Sequence, residues 1–302
     1  MFFFRSRSQE RLGEMLILVD ALLAALFPIL VHYGSGRLPA IFYAAVTSLL
    51  AGFFMGLWLW GAGRLKELLN RKAWKAMLFV TLFIVVFPSI LVYKGTALTS
   101  GINTSILLTA EIFFALIFFH FVGERVTWAK MAGATAMVLG TILVVWNGQL
   151  ALNRGDLFIL LATAFFPVGN FYAKKVLEQV HPLTLVLVRN LLGGIILMGF
   201  SLTSESIVGT SVWPLLKELW WVILLNGILI SVFSKVVWYE GLKRIEITKA
   251  TIMMMSYPAL SMILATIFLK EIPTLYQFGG LVIIFAGLYA ITIQKPSPLA
   301  SV

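Results

Sequence analysis

The sequence predicts an all-α integral membrane protein, with ten transmembrane helices arranged as two inverted five-helix repeats. Three observations lead there. Hydrophobic residues make up 60% of the chain and charged residues 12%, with a mean hydropathy of +0.97. A soluble domain is nearer about 45–50% apolar and about 25% charged. Apolar runs of roughly 20 residues, enough to cross hydrocarbon as helix, recur along the whole length. Lastly, the stretch 93–145 returns at 239–291. Tyr93 falls on Tyr239 and Gly95 on Gly241, 146 residues apart, while Glu124 falls on Glu271 and Gly140 on Gly287, 147 apart. Each copy reads as an apolar helix, a short polar turn around one Glu (GERVT, KEIPT) and a glycine-bearing helix.

Taken in order, the spans are expected at 12–33, 39–61, 74–93, 102–121 and 128–146, and then, after NGQLALNRGD, at 157–173, 182–202, 219–239, 247–269 and 275–293. The repeat boundary falls between 1–148 and 149–302. Loops are short and carry Gly, Pro, Asn and Lys, as chain breakers should; the longest is expected at 203–218. The basic N-terminus has no small-residue cleavage site after its first apolar run, so 12–33 reads as a retained span.

Orientation follows from the basic residues. With the N-terminus in the cytoplasm, sixteen Lys and Arg fall on cytoplasmic segments and five outside (Arg37, Lys94, Arg154, Lys217 and Lys270). The positive-inside rule then places both termini in the cytoplasm of a cell membrane. Five spans per half is an odd number, so the two copies lie upside down to each other, with a substrate site expected near the midplane between them. The net charge of +10 resides in these loops and does not indicate a nucleic-acid partner. The lipid bilayer and a small-molecule substrate are the partners implied, with protons and a second copy of the chain as further candidates.

Two five-helix halves, each ending in a helix, a GE or KE turn and a Gly-bearing helix, resemble the drug/metabolite transporter superfamily, in its ten-helix EamA-type branch. Gly155–Asp156, the Phe27–Pro28 and Phe166–Pro167 pairs, and the spacing from His181–Pro182 to Arg189 carry the same resemblance. So does Pro258, thirteen residues before Glu271. The resemblance implies a transporter and leaves the substrate open, because the superfamily carries amino acids, nucleosides, sugars and cationic drugs. Two positions depart from it. Thirteen residues before Glu124 stands Glu111 where the second copy has Pro258, and seven after Pro39 stands Val46 where the second half has Arg189.

Ionisable groups within spans are costly and usually face a cavity or a partner. Glu111 lies nine residues into its span and reads as a proton-coupling or cation-binding carboxylate, against a packing acid hydrogen-bonded between helices. Asp20 and Arg189 sit at similar depth and could pair across a cavity, as a structural ion pair or as substrate ligands. Lys235, about a turn from the end of its span, reads as a snorkelling lysine more simply than as a cavity residue. Tyr257 beside Pro258 and a freed carbonyl, with Asn170, could line a binding cavity. Trp238 and Tyr239 read as an interfacial belt. Gly133, Gly140, Gly280 and Gly287 read as close helix packing.

The three histidines lie at separate span ends without metal-ligand spacing. Neither a phosphate-cradling loop nor a nucleophile motif occurs. An enzyme, a cofactor and a metal are therefore not expected. The reading is a secondary active, proton-coupled transporter of a small polar metabolite working by alternating access. The alternatives are an uncoupled facilitator or exchanger of the same fold and a lipid-carrier flippase.

Overall fold

The structure, a computed structural model, describes residues 7–122, 128–146, 153–205, 212–245, 250, 253–254 and 257–292. These residues form helices and short connections, with no strand among them. Among the described residues, seven helices are long and apolar enough to cross a membrane: α1 (Ser8–Ser35), α2 (Ala40–Gly61), α3 (Arg71–Leu98), α4 (Gly101–Phe118), α6 (Arg154–Leu177), α7 (Pro182–Ser204) and α8 (Trp220–Leu242). Three further apolar helices are α5 (Trp128–Trp146), α9 (Tyr257–Phe268) and α10 (Leu275–Thr292). The GERVT turn with Glu124, and most of the ten residues expected to open the ninth span, lie outside the described residues.

Several expected spans are interrupted, each for a local reason. α1 breaks at residues 25–26 and α6 at 164–165, where i→i+3 bonds tighten the chain (Leu26 N to Leu23 O, 3.1 Å; Phe165 N to Ala162 O, 3.1 Å). In both, the next helical piece opens on a Phe-Pro pair, Phe27–Pro28 and Phe166–Pro167. Proline has no N–H for the preceding turn and is tolerated at the start of a helix. α4 carries a 3₁₀ turn at Leu108–Ala110, just before Glu111. α3 and α8 each contain a π-helical segment, Thr81–Val86 and Leu225–Ser234, each ending a few residues before Tyr93 or Tyr239, where the repeated stretches begin. Such widened turns concentrate at functional sites. The expected 203–218 loop is shortened from its far end by a helix, Trp213–Glu218.

Helices pair where glycines let backbones touch. α2 and α7 run antiparallel: a Cβ on Gly52 would stand 2.8 Å from Leu191 Cα, and one on Gly194 would stand 2.9 Å from Leu49 N. Both helices carry the same local pattern there, Leu-Leu-Ala-Gly (49–52) and Leu-Leu-Gly-Gly (191–194). α5 and α10 interlock likewise, Gly140 against Gly280 (2.6 Å to its carbonyl oxygen) and Gly287 against Gly133 (2.5 Å). This is the close packing expected from their seven-residue spacing. Gly95 of α3 meets Gly155 of α6, and Gly241 of α8 meets Gly13 of α1. In a lipid environment, where apolar burial favours no helix pair over lipid, close approach of this kind drives association.

Carboxylates capture the free amides of helix N-termini at both ends of the bundle. Glu205 accepts the amides of Ile41 (2.9 Å) and Phe42 (2.8 Å) at the start of α2. At the opposite end Glu67 accepts the amide of His181 (2.8 Å) and the hydroxyl of Thr184 (2.7 Å) at the start of α7. An anion at a helix N-terminus satisfies free N–H groups and opposes the helix dipole. Burial works to raise the Glu67 carboxyl, but these bonds, with Arg64, hold it below the usual carboxylate range.

Candidate functional site

Glu111, Asp20, Arg189, Tyr257, Asn170 and Lys235, taken from the sequence as separate candidates, all line one cavity of about 200 Å³ between the helices. α1, α4, α6, α7, α8 and α9 each contribute one of them. The interruptions lie close to it. Phe27, Phe166 and Leu108 from the three breaks, and Ile84, Val85, Ile230 and Ser231 from the two π segments, form its walls. A widened turn displaces the following side chains from regular register and turns them inward.

Glu111, the first residue after the 3₁₀ turn, accepts a hydrogen bond from Asn170 Nδ2 at 3.0 Å. Lys235 and Tyr257 lie within electrostatic reach of it. Tyr257 OH points to the Ser105 carbonyl at 3.4 Å. Two carboxylates and two cations thus share one small cavity. Its largely apolar walls lower the local dielectric and strengthen charge interactions inside.

Asp20 and Arg189 do not pair by contact. Asp20 is fully buried and accepts a short hydrogen bond from the Ser234 hydroxyl. Lys235 Nζ stands 3.9 Å from its Oδ1. Arg189 acts on Asp20 only through its charge, and instead donates from a guanidinium N–H to Tyr239 OH at 2.9 Å. The close approach of Gly13 to Gly241 explains the exchange of partners, because it brings α1 against α8 rather than α7. It also corrects the snorkelling reading of Lys235, whose ammonium has a carboxylate to face instead of the interface. Trp238 and Tyr239 are no interfacial belt either. Both line the cavity and are buried, Tyr239 to 1% exposure.

Asn190, Ser48, Ser89, Ser231 and Tyr93 complete the polar lining and escaped the sequence reading as cavity residues. Asn190, next to Arg189 within a span, carried a usable signal; a lone serine in an apolar helix carries almost none. Asn226, a polar span residue, lies beside the cavity. It donates to the hydroxyls of Tyr43 (3.0 Å) and Tyr93 (2.9 Å) and so ties α2 and α3 to the π segment of α8. Two buried polar atoms of cavity residues, Asp20 Oδ2 and Arg189 Nε, have no hydrogen-bond partner among the described residues. One is an acceptor and the other a donor.

A second charged cluster sits at the Glu67 end. His181 Nδ1 accepts the Leu183 amide at 3.3 Å, capping α7, while Nε2 lies 3.5 Å from Glu240 Oε1. Burial, together with Lys243 and Arg64, keeps the imidazole below its usual range.

Comparison with known proteins identifies the family. The model of the EamA-like transporter family matches residues 11–146 and 153–293. An uncharacterized transporter of Archaeoglobus fulgidus is 25% identical over 198 residues, covering 66% of this chain and 70% of its own. A protein of Salmonella typhimurium named a probable amino-acid metabolite efflux pump is 24% identical, covering 61% of this chain and 65% of its own. A probable terminal-alkyne amino-acid exporter of Streptantibioticus cattleyicolor is also 24% identical, covering 64% of each. A crystal structure with 18% sequence identity shares the fold, with a TM-score of 0.68 over 95% of this chain and 97% of the other. With two matched segments that between them span most of the chain, and apolar helices throughout, this multi-pass membrane protein belongs to the EamA-like transporter family.

Proposed function

We propose that the chain is a secondary active, proton-coupled exporter of a small amino-acid-like metabolite, working by alternating access between two inverted halves, 1–148 and 149–302. Glu111 carries the reading. It is a carboxylate in the interior of α4, turned into a cavity and hydrogen-bonded by the neutral Asn170. Such a group can release its proton when the cavity wets and regain it when the cavity closes. The substrate class is supported by the charges, since Arg189 suits a carboxylate and Glu111 an ammonium. It is supported also by the names of the two exporters among the relatives. Both termini and the Glu67 end are assigned to the cytoplasm, because sixteen of the loop cations fall on that side.

The inverted arrangement draws support from contacts that repeat in opposite senses. Leu49 and Gly52 meet Gly194 and Leu191, Gly95 meets Gly155 as Gly241 meets Gly13, and the two π segments correspond. A site between halves related in this way opens to one side when one half rocks against the other.

Glu111→Gln keeps size and hydrogen bonding but cannot ionise. In proteoliposomes with a radiolabelled amino acid, the variant is expected to retain exchange at equal concentrations and to lose uphill transport driven by a pH gradient. Uphill transport that survives would move the coupling role elsewhere, with Asp20 next to test. Loss of exchange from a folded variant would make Glu111 a substrate ligand in an uncoupled facilitator.

A further inference from the structure

At the end of the bundle away from Glu67, polar groups that do not line the cavity tie the helices together. The KEIPT turn brings Lys270 into a left-handed conformation (φ 58°) and turns Glu271 across onto α4. Its carboxylate accepts the amides of Gly101 (2.8 Å) and Ile102 (2.9 Å). Gly101 suits this approach, because a Cβ there would stand 2.7 Å from Leu269. Beside the clasp, His32 Nε2 lies 3.7 Å from Glu271 Oε1, and His32 Nδ1 contacts the Thr96 carbonyl. Asp156, set against α3 by the Gly95–Gly155 contact, accepts Thr99 Oγ1 (2.6 Å) and Asn103 Nδ2 (3.3 Å). Asn103 Oδ1 in turn accepts Gln277 Nε2 (2.6 Å) from α10. Two carboxylates, Asp156 of α6 and Glu271 of the α9–α10 turn, together with the Gln277 amide of α10, therefore hold the first turn of α4.

That turn begins the helix that carries Glu111. Ten residues separate Gly101 from Glu111, about 15 Å of helix. A displacement at the start of α4 reaches Glu111 through this stretch, which includes the 3₁₀ turn at Leu108–Ala110. We propose that Glu271 and Asp156 are positioning residues forming the gate on this face: they lock α4 while the cavity is closed here, and their release admits solvent to the cavity and shifts Glu111. The Glu67 and Glu205 clasps differ in kind. They fasten opposite ends of the tightly packed α2–α7 pair, and both are closed at once.

This proposal rests on the alternating-access reading, and its test needs neither substrate nor a proton gradient. The chain contains no cysteine, so Ser48→Cys places a single thiol on the cavity wall. A membrane-impermeant maleimide, applied separately to the two faces, reports which side reaches it. Glu271→Gln loses the charge and one of the two acceptors, Glu271→Ala loses both, and Asp156→Asn weakens the neighbouring latch. Labelling from the Glu271 face is expected to rise at least about tenfold, equivalent to about 1.4 kcal/mol of gate free energy, in the order Gln before Ala. Labelling from the Glu67 face is expected to stay level or fall.

An unchanged rate from the Glu271 face in folded Glu271→Gln and Asp156→Asn proteins would overturn the gate. So would equal increases from both faces accompanied by lost thermal stability, since general loosening has no side. If Glu111→Gln still transports uphill while the labelling shifts as expected, the gate stands and the coupling assignment falls.

Discussion

Gly52→Ala tests whether the α2–α7 contact is a fixed part of the carrier, and its size can be worked from the packing. An added Cβ would lie 2.8 Å from Leu191 Cα and 2.9 Å from Leu191 N, whereas ordinary contacts begin near 3.4 Å. The obstructing atoms are backbone and cannot rotate away, so the helices must separate by about 0.6 Å along that line. A radial gap of about 0.5–1 Å forfeits a quarter to a half of the dispersion well for the atoms it parts. Overpacking of this kind typically costs about 1–3 kcal/mol. Opposing it, replacing a helix-interior glycine by alanine gains about 1 kcal/mol of intrinsic propensity.

Gly199→Ala, in the same helix pair, meets nothing within 4 Å, and Gly56→Ala meets only Leu187 Cδ1 at 3.7 Å. These two keep the gain without the clash. Thermal unfolding of the purified protein in one detergent is therefore expected to rank Gly199→Ala and Gly56→Ala at or above the natural chain. Gly52→Ala should fall below them by about 1–3 kcal/mol. A Gly52→Ala protein as stable as Gly199→Ala would refute the close backbone contact.

Two further outcomes follow from the charged groups. Lys235→Met leaves the buried Asp20 without its nearest cation and is expected to lower folding yield and melting temperature; adding Asp20→Asn recovers part of the loss, whereas adding Asp20→Asn to Arg189→Gln does not. At the Glu67 end, His181 caps α7 through an unprotonated Nδ1, and its affinity for protons is lower folded than unfolded. Its contribution to stability is therefore complete above about pH 6.5 and is lost as pH falls below that value. His181→Asn, which keeps a capping oxygen but cannot titrate, is expected to flatten melting temperature against pH between about 5 and 7.

The sequence by itself determined the class of the molecule. Membrane spans are written as long apolar runs, because hydrocarbon admits nothing else. For the same reason an ionisable residue inside a run stands out, and Glu111, Asp20, Arg189 and Lys235 were all legible as site candidates. The glycine spacing of α5 and α10 was readable too, since close packing in lipid needs a missing side chain.

Which candidates meet was decided only by the tertiary structure. The Asp20–Arg189 pairing suggested by equal depth gave way to Asp20–Ser234–Lys235, because depth fixes height along the membrane normal but not which helix is the neighbour. Tyr239 changed from a belt residue to the partner of Arg189 for a related reason: position near a span end does not say whether a ring faces lipid or the bundle. Glu271 was visible as the centre of a repeated turn. Its role as a cap on Gly101 and Ile102, 170 residues away in sequence, depends on a helix end being brought within hydrogen-bond reach, and a linear pattern does not encode that distance.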